Sequence, residues 1–79
     1  SESRFLHLFK EIVGITAIAY KNKLAVMQAS QLLQSEDRNI EEISVECGFS
    51  SSVYFRRVFK EYTGMNPKEY RKQINRYLI

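Results

Sequence analysis

Tryptophan is absent, histidine, cysteine and proline occur once each, and glycine occurs three times among 79 residues. A lone cysteine, Cys47, cannot close an intramolecular disulfide, so the chain does not belong to the small disulfide-stapled scaffolds, and a reducing cytoplasm is its natural compartment. With His7 as the single histidine, no zinc-type ligand set can be assembled. Scarce glycine and proline exclude linker-rich and collagen-like polymers. No charge-free run approaches the roughly 20 apolar residues that a membrane span needs, and no signal peptide is recognisable. Nucleophile–base pairings, phosphate-cradling glycine loops and opposed carboxylate pairs are also missing, which argues against an enzyme and against a cofactor. What remains is an ordinary globular composition, 44% hydrophobic and 27% charged, sized for one domain.

The charge is unevenly spread. Residues 1–46 carry five Lys/Arg against seven acids, a balance of −2, whereas residues 47–79 carry seven Lys/Arg against Glu61 and Glu69, a balance of +5. A cationic C-terminal part on a small domain favours a polyanionic partner, with a solvated helix face as the plain alternative.

Shifting the chain against itself by fifty positions aligns residues 1–21 with residues 51–71 without a gap. Seven positions are identical: Ser1/Ser51, Phe5/Phe55, Phe9/Phe59, Lys10/Lys60, Glu11/Glu61, Gly14/Gly64 and Tyr20/Tyr70. One helix-plus-turn unit is therefore used twice. In each, apolar residues at three- and four-residue steps (Phe5, Leu8, Phe9, Ile12; Phe55, Val58, Phe59, Tyr62) mark the inner face of a helix that glycine ends. Asn66, Pro67 and Glu69 supply an N-cap, a first-turn proline and a capping-box acid for a last helix to about Leu78. Between the units, Ala17 to Ser35 reads as a spacer helix about 28 Å long, with Tyr20, Leu24, Met27, Leu32 and Leu33 as its apolar side. Asn39 with Glu42 opens a short helix that Gly48 closes, with Ile40, Ile43 and Cys47 inward.

A short helix, a turn at Gly48 and Phe49, Ser50 as cap, and the helix of Phe55 and Phe59 follow the order of a helix-turn-helix. At 100° per residue the side opposite the phenylalanines carries Val53, Arg56, Arg57 and Lys60, with Ser51 and Ser52 near its start. Arginine can bond guanine bidentately, lysine meets phosphate as a point charge, and valine can touch a thymine methyl. The matching side of the first unit carries Glu2, Ser3, Leu6, His7 and Lys10. Lys10 and Lys60 are expected on phosphates, with Arg71 and Lys72 as further candidates.

The run I-x-E-I-x-x-x-x-G-F-x-S-x-x-Y-F-x-R-x-F-K-x-x-x-G-x-x-P-x-x-Y-R, from Ile40 to Arg71, resembles the signature of the AraC/XylS family of bacterial transcription regulators. The resemblance implies an all-α fold of two homeodomain-like helix-turn-helix units joined by a long central helix, with recognition helices in successive major grooves of double-stranded DNA. It places Ser52, Val53, Arg56 and Arg57 at base-facing positions of a second recognition helix from Ser51 to Tyr62, and Glu2, Ser3, Leu6 and His7 at those of the first. On this reading 1–15 is the remnant of a first helix-turn-helix, 16–35 the linker helix, 39–64 the second unit and 66–78 the closing helix. It also implies that these residues are part of a longer cytoplasmic regulator with an effector or dimerisation domain elsewhere, and that Phe5 and Phe9 are under-covered here. The rival expectation is a helical protein-interaction module, with Glu36, Asp37, Glu41 and Glu42 meeting a basic surface of RNA polymerase or of a regulatory domain.

Overall fold

The repeat seen in the sequence is a repeat of geometry. The structure, a computed structural model, describes residues 2–78, with side chains through residue 76. Its helices are α1 (Glu2–Val13), α2 (Ala17–Leu32), α3 (Ile40–Glu46), α4 (Ser52–Thr63) and α5 (Pro67–Leu78), with no strand among the described residues. α1 and α4 end in the same way: Gly14 and Gly64 take φ of 88° and 83° and donate their N–H groups at 2.8 Å to Lys10 and Lys60 carbonyls. The following helix is capped in register too. Thr16 accepts from the Ala19 N–H at 3.1 Å, and Asn66 from the Glu69 N–H at 2.8 Å. Even the ring contacts recur, Phe9 against Tyr20 at 5.6 Å and Phe59 against Tyr70 at 5.2 Å between centroids. The expected pairing of Ser1 with Ser51 lies outside the described residues.

What differs is the cover. Phe55 and Phe59 are fully buried in a core shared with Val26 and Ala29 of α2, its C-cap Leu33, Ile43 of α3, Val58 and Phe49. Their counterparts lie on a helix with no buried residue: Phe5 is 60% and Ile12 82% exposed, and Phe9 is half-buried. The projecting α1–α2 arm makes the molecule 47 Å long and 16 Å thin, with a radius of gyration of 14.4 Å against about 11.6 Å for a compact chain of this length.

Four expectations need correcting. α2 stops at Leu32, about 24 Å from its start, because the chain turns toward α3 over residues 33–39. Its buried side is Val26, Ala29 and Leu33, while Tyr20, Leu24 and Met27, placed on that side from the sequence, are exposed. The two stripes lie about 150° apart at 100° per residue, so α2 offers one apolar face to each unit. Finally, Ser51 and not Ser50 caps α4, accepting from the Tyr54 N–H at 3.3 Å, and Tyr62 is partly exposed and not a core ring.

α3 has the full capping box expected of Asn39 and Glu42, with bonds of 2.8 and 3.1 Å. It closes with paired bonds from Gly48 N–H to the Val45 carbonyl and Phe49 N–H to the Ser44 carbonyl, a glycine-dependent end that turns the chain sharply into α4. No helix among the described residues is long and apolar enough to cross a membrane.

Candidate nucleic-acid interface

α4 is fixed from beneath and beside. Phe55, Val58 and Phe59 anchor its inner face, while two tyrosines tie its flanks to α2: Tyr62 donates to the Ala19 carbonyl at 2.9 Å, and Tyr54 accepts from Asn22 Nδ2 at 3.1 Å. Sequence reasoning missed this bracket. The tyrosine of the Y-F pair was its only visible signal.

The outward face of α4 is as expected in residue content. Val53 is 75% exposed, and Lys60 is exposed beside it. The two arginines are held differently. Arg57 is 72% exposed at its side chain, with its guanidinium carbon 5.6 Å from the centre of the Tyr54 ring and Nε 3.9 Å from Glu61. Arg56 is 41% exposed and already engaged: Nη1 donates to Ser52 Oγ at 3.2 Å and Nη2 to Glu41 Oε1 at 2.5 Å. The Arg56 hydrogen bond holds the Glu41 carboxyl below the usual carboxylate range. Ser51 Oγ accepts the capping bond from the Tyr54 N–H, which leaves its hydroxyl proton to be donated.

On α1 the corresponding residues Glu2, Ser3, Leu6, His7 and Lys10 are all exposed. His7 lies 3.3 Å from Glu11, in the register that Arg57 and Glu61 occupy fifty residues later. The fold therefore brings the named residues onto two separate helical faces, five on α1 and six at α4, each backed by its own phenylalanine pair.

Arg71 is placed elsewhere than expected. Its guanidinium donates to the carbonyls of Leu33, Ser35 and Arg38 at 3.1, 2.8 and 2.7 Å, closing the end of α2 and the loop after it. An arginine with these bonds is a structural clamp and is corrected out of the phosphate set; Lys72 is exposed. Cys47 is half-buried, and burial, followed by the charge of Glu46, raises its thiol above the ordinary range, which suits packing and not reactivity.

The chain matches a helix-turn-helix domain family over residues 1–73. It is 37% identical over 71 residues to the arabinose operon regulatory protein of Escherichia coli, covering 90% of this chain and 24% of that protein. Against the transcriptional activator RhaR of Cronobacter sakazakii it is 37% identical over 73 residues, 92% of this chain and 26% of the relative. It thus spans about a quarter of the length of these curated relatives. The C-terminal domain of the two-component response regulator yesN from Fusobacterium nucleatum superposes with a TM-score of 0.84 at 31% identity, over 90% of this chain and 69% of that one. A transcriptional regulator from Chromobacterium violaceum, described as containing an AraC-type DNA-binding domain, gives 0.81 at 32% identity, over 94% and 66%. With the doubled helix-turn unit, the capped turn into α4 and the match over nearly its whole length, this chain belongs to the AraC-type helix-turn-helix family of transcription regulators.

Proposed function

We propose that the chain is a sequence-specific module for double-stranded DNA within a bacterial, cytoplasmic transcription regulator, and that α4 and α1 read successive major grooves. The observation that carries this reading is the outward face of α4. Val53, Arg57 and Lys60 stand exposed on a helix whose opposite face is fully buried, with Ser52 and Arg56 along one edge. Base readout falls to Ser52, Val53, Arg56 and Arg57, and phosphate contact to Ser51, Lys60 and Lys10. α1 supplies Glu2, Ser3, Leu6 and His7 to the neighbouring groove. The 47 Å long axis accommodates two reading helices one DNA turn, about 34 Å, apart.

The exposed stripe of Phe5, Leu8 and Ile12 on α1, with Tyr20, Leu24 and Met27 on α2, is the surface that a first-unit equivalent of α3 would cover. At the fifty-residue offset, that equivalent precedes α1 in a longer chain, which would also hold the effector or dimerisation domain. A second and compatible reading rests on the outer face of α3, where exposed Val45 lies among Glu41, Glu42, Glu46 and Arg38 around an open hollow in which acids outnumber the one base. That face suits a basic protein surface such as one on RNA polymerase.

Selection of bound sequences from a random duplex pool, followed by affinity measurements, tests the main reading. Arg57→Ala should cost about 1–3 kcal/mol at the selected site and blur one base position. Lys60→Ala should weaken all duplexes alike and lower the salt slope by about 0.9. Duplex affinity unchanged in both variants would refute the assignment of α4.

A further inference from the structure

α3 carries three acids, and each has its own employment. Glu42 closes the capping box with Asn39, Glu46 pairs with Arg38, and Glu41 reaches across to α4 and binds Arg56. Two adjacent arginines on the reading helix therefore differ in how tightly they are paired when a partner meets them. Arg57 presents a largely exposed guanidinium with the Glu61 carboxylate at 3.9 Å, whereas Arg56 presents a half-covered one with a carboxylate 2.5 Å away.

Resting on the DNA-binding reading above, we infer that Glu41 is a specificity-determining residue: it withholds Arg56 from backbone phosphates and leaves it available for a base edge. The reason lies in what each DNA group asks of an arginine. Phosphate attraction is mainly a monopole interaction, and its gain comes from counterion release; a neutralised Arg56–Glu41 pair releases little. Guanine recognition is directional hydrogen bonding to O6 and N7. Arg56 spends two of its five N–H donors on Ser52 and Glu41, and three remain for that purpose. Ser52 and Glu41 also hold the planar fork from two helices, so less freedom is lost when a base is met.

The test uses the full-length chain as wild type, Glu41→Gln, Arg56→Ala and the double variant. Each is titrated by fluorescence anisotropy with a random-sequence duplex and with a duplex selected by the wild type, at 50 and 200 mM salt. Glu41→Gln frees the Arg56 charge for one more phosphate. It should bind random duplex more tightly at 50 mM and lose about 3.5-fold more affinity than the wild type on going to 200 mM, a slope change of about 0.9. Its ratio of selected to random affinity should fall. In the Arg56→Ala background the same substitution should change none of these. An unaltered salt slope and ratio in Glu41→Gln, alongside a wild type that selects sites, overturns the role of Glu41 alone. An equal gain with and without Arg56 overturns it as well, by reducing Glu41 to a general repeller of DNA. A wild type that prefers no duplex overturns the DNA-binding reading and this inference together.

Discussion

Ser44 lies at the inner face of α3, 1% exposed, and its Oγ has no hydrogen-bond partner among the described residues. A buried hydroxyl without a partner costs about 1–3 kcal/mol of desolvation, and serine is also a poorer helix former than alanine. Ser44→Ala should therefore stabilise the chain by about 1 kcal/mol, raising the thermal midpoint by about 4–8 °C for a domain of this size. A calorimetric scan showing no rise would mean that the hydroxyl is satisfied in solution. Because the residue is buried beneath α3 and away from the outward face of α4, the affinity for duplex should not move with it. Arg56 and Arg57 make the complementary case. They are neighbours in sequence and equal in composition, yet Glu41 on one and Tyr54 under the other set different tasks for them.

Between elements, the main joint is made by Arg71, which ties α5 to the segment running from α2 to α3 through three carbonyls. Hydrogen bonds to a charged group contribute about 1.5–3 kcal/mol apiece in favourable settings, and the freed carbonyls near Leu33 are partly shielded from water. Arg71→Ala should cost about 2–4 kcal/mol in urea unfolding, and Arg71→Lys should recover only part, since an ammonium cannot span three acceptors with a fixed fork. A loss below about 0.5 kcal/mol would refute the clamp. Nothing in the local pattern announces this role, because the acceptors lie 33 to 38 residues away. The caps at Asn39 and Asn66 and the phenylalanine faces were legible because each rests on neighbours within one helical turn, and the repeat because the sequence aligns with itself without a gap. The inner side of α2 was not. Its two stripes stand opposite one another, and periodicity alone cannot tell which of them a distant helix will cover. Tyr62 failed for the same reason: its hydroxyl finds the Ala19 carbonyl on a helix 43 residues earlier, which draws the ring to the rim of the core.

At the scale of the molecule, a duplicated unit has been given unequal surroundings, and the energetics should follow the surroundings and not the repeat. Phe55 and Phe5 hold equivalent positions, with ring centroids 5.8 and 6.1 Å from Phe59 and Phe9. One is wholly buried and the other 60% exposed. Truncating a buried phenylalanine removes its transfer free energy and leaves a cavity, so Phe55→Ala should cost about 3–5 kcal/mol in the 79-residue chain. Phe5→Ala leaves no cavity and should cost less than about 1 kcal/mol. If helices preceding α1 in a longer chain cover the stripe of Phe5, Leu8 and Ile12, the penalty at Phe5 should climb there toward that at Phe55, while the penalty at Phe55 stays unchanged. Chemical unfolding of both variants in both lengths decides it. An equally small penalty at Phe5 in the long chain would show that the stripe stays wet, and α1 would then lack the rigid backing that a second reading helix needs to hold its angle in a groove.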